Sequence, residues 1–121
     1  MMQIKIPKLT LDILAKIIYD AAKLSNHVAA VGVVGSFSTD RQKPDSDVDL
    51  LVKIDESSNF QDVIESFGGY VKHILDYQFN KRLDIIRYDL VADYENHETN
   101  AWFCQDGFKQ MLGEVRWIYE R

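Results

Sequence analysis

The chain has 121 residues, 46% of them hydrophobic and 27% charged, the balance of a folded globular protein rather than a long disordered segment. That length predicts one domain over 1–121 that buries about two thirds of the surface its unfolded form exposes. Its formal charge of -5 lacks the excess of lysine and arginine with which proteins hold long DNA or RNA non-specifically, so long nucleic acid is not an expected partner.

At the N-terminus, Lys5, Lys8, Asp12 and Lys16 interrupt the apolar residues. Neither a signal-peptide core nor a membrane span fits, and a cytoplasmic protein is expected. After Pro7, either Lys8 or Thr10 starts a helix in which Leu11, Ile13, Leu14, Ile17, Ile18, Ala21 and Leu24 form a wide apolar stripe. It runs to about Ser25-Asn26, and His27 follows as a surface histidine. Ala29 to Val34 is a strand rich in β-branched residues that ends in Gly35-Ser36, a pair that frees backbone N–H groups to meet an anion. A short helical turn starting near Ser36 is expected to point those groups at the strand end. In the loop from Phe37 to Ser46 the charges cancel, Asp40 and Asp45 against Arg41 and Lys43, so it is no simple basic clamp. Asp47 to Ile54 is a second strand. Its alternation places Asp47, Asp49, Leu51 and Lys53 on one face and Val48, Leu50, Val52 and Ile54 on the other. Because the second set is wholly apolar, the first is expected to be the open face.

A helix capped by Ser57, Ser58 or Asn59 follows, with Phe60, Ile64, Phe67, Val71, Ile74 and Gln78 at three- or four-residue steps. Gly68-Gly69 in its middle costs about 2 kcal/mol relative to alanine, which predicts a kink or a break. His73 reads as a solvated residue. Leu83 to Tyr88 is a third short strand, with Asp84 and Ile85 on opposite faces. Asp89 to Asn100 is a polar surface connection in which Asp93, Glu95, His97 and Glu98 do not have the spacing of a metal site. A last helix is predicted from Thr99-Asn100, with Cys104, Phe108, Met111, Val115 and Ile118 as its seam. Trp102, Phe103, Trp117 and Tyr119 widen that seam, either to cover the sheet or to meet another protein. Cys104 is the single cysteine; it leaves no internal disulfide and no cysteine-based zinc site, and it suits a reducing compartment. The predicted order is helix, strand, site loop, strand, helix, strand, helix.

Residues two apart on a strand lie about 6.6 Å from each other and a neighbouring strand runs about 4.8 Å away, so Asp84 is expected to complete a triangle with Asp47 and Asp49. At about 5 Å and an effective dielectric near 20, each pair of carboxylates repels by about 3 kcal/mol. A hard divalent cation offsets that repulsion, and magnesium in particular is held by one or two carboxylates together with substrate phosphates. Two such ions suit an in-line displacement, with Asp84 placed to accept the proton of the attacking hydroxyl. The plainer alternative makes Asp45, Ser46 and Asp47 a turn and leaves Asp49 facing solvent. Against it, Asp49 stands between valine and leucine, where β-propensity disfavours it, and a residue that breaks the local pattern marks a functional position.

Gly35-Ser36, ten residues, then Asp47-Val48-Asp49-Leu50-Leu51-Val52, and a later strand carrying Asp84, resembles the minimal nucleotidyltransferases of the DNA polymerase β superfamily. It is particularly similar to the small antitoxin members paired with HEPN-domain toxins. The resemblance covers essentially the whole chain and implies an α+β, polymerase β-like fold, a small mixed sheet packed against helices. It also implies magnesium-dependent transfer of a nucleoside monophosphate, typically AMP from ATP, to a hydroxyl of the acceptor, which in the paired systems is a tyrosine of the toxin. By position, Gly35 and Ser36 would bind the triphosphate, Asp47 and Asp49 both metal ions, and Asp84 the catalytic one. Many relatives follow Gly-Ser with a small residue, an arginine and a glycine, where this chain has Ser38-Thr39-Asp40; Arg41, Lys43, Arg82 and Arg87 are the candidates for the displaced positive charge. A chain of this size leaves little material to grip an acceptor, so a homodimer or hetero-complex is expected. Two alternatives stand beside an enzyme that modifies a partner protein. One is a degenerate binding module that neutralises its partner by contact, the other a nucleotidyltransferase acting on a small molecule such as an aminoglycoside.

Overall fold

The computed structural model describes residues 7–39, 41–43, 45–55, 59–89 and 113–121. The first helix, α1, spans Leu11–Leu24, and of the two predicted starts it uses Thr10, whose hydroxyl accepts a hydrogen bond from the Ile13 N–H. One face of α1 buries Leu14, Ile18, Ala21 and Ala22, as the apolar stripe requires. Strand β1 is Val28–Val34 and strand β2 is Val48–Ile54. They pair antiparallel, with Val34 opposite Asp49. The tight turn Gly35–Phe37 closes β1.

A long helix, α2, occupies residues 60–79 and is capped by Asn59, whose side-chain oxygen accepts from the Gln61 N–H at 2.8 Å. It does not break at Gly68-Gly69. Both glycines keep right-handed helical angles, and the hydrogen bonding widens to i→i+5 over Ile64–Gly68 and again over Leu75–Phe79. Packing explains the difference from expectation. A Cβ on Gly68 would stand 2.7 Å from Ile85 Cδ1, so the bare backbone lets α2 lie close against the sheet, and that contact offsets the glycine's low helix propensity. The helix ends at Asn80, whose left-handed conformation (φ 51°) turns the chain in a role that asparagine tolerates. Strand β3, Leu83–Arg87, then runs parallel to β2, a pairing that needs a crossover such as α2 provides.

The last described segment contradicts the sequence reading. Arg116–Glu120 is not helix but a strand, β4, antiparallel to β1; the remainder of the predicted helix, with Cys104, Phe108 and Met111, lies outside the described residues, as does the stretch holding Asp93, Glu95, His97 and Glu98. The sheet order is β3-β2-β1-β4. Helices cover one face, where Leu14, Ile18, Phe67, Val71 and Leu75 pack on Val31, Val33, Val48, Leu50 and Val52. The opposite face is less open than predicted. Leu51 is fully buried there with Val34, beneath Ile86, Tyr88 and Val115. Among the described residues no helix is long and apolar enough to cross a membrane.

Candidate active site

Three strand ends meet at one edge of the sheet. β1 hands the chain to the turn at Gly35, β2 begins beside Asp47, and β3 carries Asp84 in register with Asp49. Directly opposite residues on paired strands share a face, so Asp49 and Asp84 lie together on the side away from the helices. Asp47 is exposed just before β2. Two of the three predicted carboxylates, Asp49 and Asp84, are therefore brought together from two strands, and the turn closes against Asp49. Gly35 has φ +75°, and a Cβ there would lie 2.7 Å from Asp49 Oδ2. Two independent demands, left-handed backbone and the approach of a carboxylate, select glycine at that position.

Asp49 is the electrostatic centre of the group. Its pKa is pushed up from 3.8 to about 6, first by burial and then by the charges of Asp84 and Asp47, with a side-chain hydrogen bond to Asp84 adding to the effect. A bond that favours the protonated form has Asp49 donating and the Asp84 carboxylate accepting. Burial of Asp49 and the charges of Asp84 and Asp47 both disfavour its ionised form, the repulsion that the sequence argument required. Among the described residues no group of three or more His, Cys, Asp or Glu is placed to hold a metal ion. The donor chemistry of Asp49 and Asp84 nevertheless suits a hard divalent cation, because both offer carboxylate oxygens.

The turn and its loop are tied down by short bonds. Ser38 donates from its backbone N–H (3.2 Å) and its hydroxyl (2.7 Å) to the Gly35 carbonyl, and the Arg41 N–H donates to the Ser36 carbonyl at 2.9 Å. Lys43 and Ser46 close the far end, the Lys43 N–H donating to Ser46 Oγ (2.8 Å) and the Ser46 N–H to the Lys43 carbonyl (3.0 Å). Phe37 turns inward and is buried among the core side chains, which anchors the turn from below. Asp40 lies outside the described residues.

Two of the four cations suggested for the site are committed elsewhere. Arg41 Nε donates to Thr39 Oγ1 at 2.8 Å and its Nη2 lies 3.6 Å from Glu114. Arg87 pairs with Asp89 at 2.7 Å and lies over the Phe60 ring. Arg82 sits beside the start of β2, its carbonyl accepting from the Val48 N–H at 2.9 Å. The sequence reading missed Glu114 and Arg116, both of which reach the loop: Arg116 Nε donates to the Ser38 carbonyl. The available signal was the run Trp117-Ile118-Tyr119, whose side chains favour strand over helix.

A family model described as "Nucleotidyltransferase domain" matches residues 11–106, a stretch that holds the turn and all three aspartates. The chain belongs to the nucleotidyltransferase domain family. Its α+β architecture is the polymerase β-like fold. Three solved structures share the fold of this nucleotidyltransferase. One is a toxin-antitoxin complex with AMP-PNP, at a TM-score of 0.53 and 15% identity over 93% of this chain and 75% of that one. Another is a toxin-antitoxin MntA-HpeT variant with two Asp-to-Glu substitutions (TM-score 0.53, 13% identity, 93% and 75% covered). The third is an MntA-HpeT variant with a Tyr-to-Ala substitution (TM-score 0.53, 14% identity, 94% and 75% covered). Among curated proteins none matches this nucleotidyltransferase.

Proposed function

We propose that the protein transfers AMP from ATP to a hydroxyl of a partner protein and is the antitoxin of a toxin-antitoxin pair whose toxin is of the HEPN type. The observation that carries this reading is the pairing of Asp49 with Asp84 across β2 and β3, directly against the Gly35 turn. A carboxylate whose pKa is raised chiefly by burial and by neighbouring negative charge gains from a bound cation, which offsets that charge. The family membership and the toxin-antitoxin complexes that share the fold support the rest.

Asp47, Asp49 and Asp84 would hold magnesium, with two ions expected; when bound it offsets the charge of the carboxylates and the phosphates and makes the α-phosphorus a better electrophile. Gly35 and Ser36 receive the phosphate oxygens, because the leading amides of so short a turn have no carbonyl within it to bond. Asp84, exposed at the edge of the group, takes the proton of the acceptor hydroxyl as its oxygen attacks. The bond formed joins that oxygen to the α-phosphorus; the bond broken releases pyrophosphate, and the proton passes from Asp84 to solvent. The acceptor protein completes the site, which fits a hetero-complex, and the lone Cys104 suits the reducing cytoplasm.

The test incubates the protein with magnesium, labelled ATP and the product of the adjacent reading frame. Label on that partner, lost in the Asp47→Ala plus Asp49→Ala variant, is the expected result. A partner that is neutralised without acquiring label from any of the four nucleotides establishes the contact-only module instead, and label on an aminoglycoside with no protein present establishes the small-molecule enzyme.

A further inference from the structure

The cluster of carboxylates and the triphosphate it would receive are both negative, so binding calls for positive charge close to the Gly35-Ser36 turn. Arg41, the nearest positive residue in the sequence, is occupied by Thr39 and Glu114. The strand that opens opposite the site brings another. Arg116 is the first residue of β4 and pairs with Val33 on β1, next to Val34, which in turn pairs with Asp49. Its side chain crosses to the turn, where Nε donates to the carbonyl of Ser38. Ser38 is itself bonded twice to the Gly35 carbonyl, so the guanidinium is fixed one hydrogen bond from the turn. Among the described residues Arg116 forms no other hydrogen bond or ion pair. This residue also lies beyond the stretch 11–106 that the family model matches.

We infer that Arg116 is a positioning residue for the nucleoside triphosphate, which holds the Gly35-Ser36 turn through Ser38 and supplies positive charge from the last strand. The inference rests on the nucleotidyl-transfer reading of the same site. A guanidinium suits the task better than an ammonium here, because one nitrogen can hold the carbonyl while the others stay turned to an anion. Its pull grows with the charge on the ligand, so it acts on a triphosphate more strongly than on a monophosphate.

The substitutions separate the charge from the hydrogen bond. Arg116→Gln keeps an N–H donor for Ser38 and removes the charge, Arg116→Lys keeps both, and Arg116→Ala removes both. Equilibrium binding of AMP-PNP and of AMP, each with magnesium, is measured for the four proteins after thermal melts confirm that each is folded. The account expects Arg116→Gln to bind AMP-PNP about tenfold more weakly while its affinity for AMP changes by less than about twofold, and Arg116→Lys to recover most of the loss. Equal AMP-PNP binding by Arg116→Gln and the unsubstituted protein would overturn the inference and leave the residue a structural strut, as would equal losses for both ligands. The nucleotidyl-transfer reading survives those outcomes; it falls, and the inference with it, when the unsubstituted protein binds no triphosphate.

Discussion

Replacing Asp49 with asparagine should make the metal-free protein more stable at neutral pH and less so, relative to the parent, in acid. The folded-state pKa of about 6 lies above the ordinary 3.8, so between those values the folded chain binds more protons than the unfolded one. Stability therefore falls as pH rises through that window, and the deficit is complete above it. A shift of about two units corresponds to about 3 kcal/mol for a group shielded from water. Asp49 is only half-buried, and solvent screening reduces the figure to about 1 to 2 kcal/mol. Asparagine is close to the same size, carries no charge and can still donate to Asp84. At about 4 °C per kcal/mol for a chain of this length, Asp49→Asn should melt about 4 to 8 °C above the parent at pH 8 and level with it near pH 4. Thermal melts followed by circular dichroism in the presence of a chelator measure the difference directly. Magnesium added at pH 8 should raise the parent's melting temperature and narrow the gap. A variant that melts at or below the parent at pH 8, or a difference that does not change with pH, would refute the electrostatic account of the cluster.

Gly35→Ala should destabilise the protein by about 1 to 2 kcal/mol through its left-handed backbone alone. It should also abolish transfer, because the added Cβ lies within 2.7 Å of Asp49 Oδ2; melts and label transfer check the two effects separately. The glycine pair of α2 should split: Gly69 is exposed with nothing within 4 Å of an added Cβ, so Gly69→Ala should stabilise by up to about 1 kcal/mol. Gly68→Ala should gain less or nothing, since its Cβ meets Ile85 Cδ1, and urea unfolding of the two variants side by side measures the difference.

The half of the site that rests on local pattern was legible in the sequence. β-branched runs marked β1, β2 and β3, the alternation of Asp47 to Ile54 separated carboxylates from core, and Asp84 fell in register with Asp49 as a neighbouring strand allows. What failed depended on pairing between distant segments. Val115 and Ile118 are three apart, a helical step, yet the second edge of β1 is available to a strand, and pairing there decides the conformation of Arg116–Glu120 against a weak local preference. That one misreading spread. Val115 belongs to the segment that covers Leu51, so the supposedly open face is partly closed. Glu114 pairs with Arg41, and Arg116 was not considered at all. The glycine pair failed for a related reason: the propensity cost is real, but the close approach of Ile85 to Gly68 is a tertiary contact that composition does not contain.

The central claim is that the Asp47, Asp49 and Asp84 group moves the α-phosphate of ATP with its nucleoside onto a partner hydroxyl. Parallel reactions with ATP labelled at the α- or at the γ-phosphate, magnesium and the product of the adjacent reading frame test it most directly. The account predicts partner label from the α-position only, released pyrophosphate in equal amount, and no label with Asp49→Asn or Asp84→Asn. Partner label from the γ-position, or α-label that persists in both variants, would contradict it.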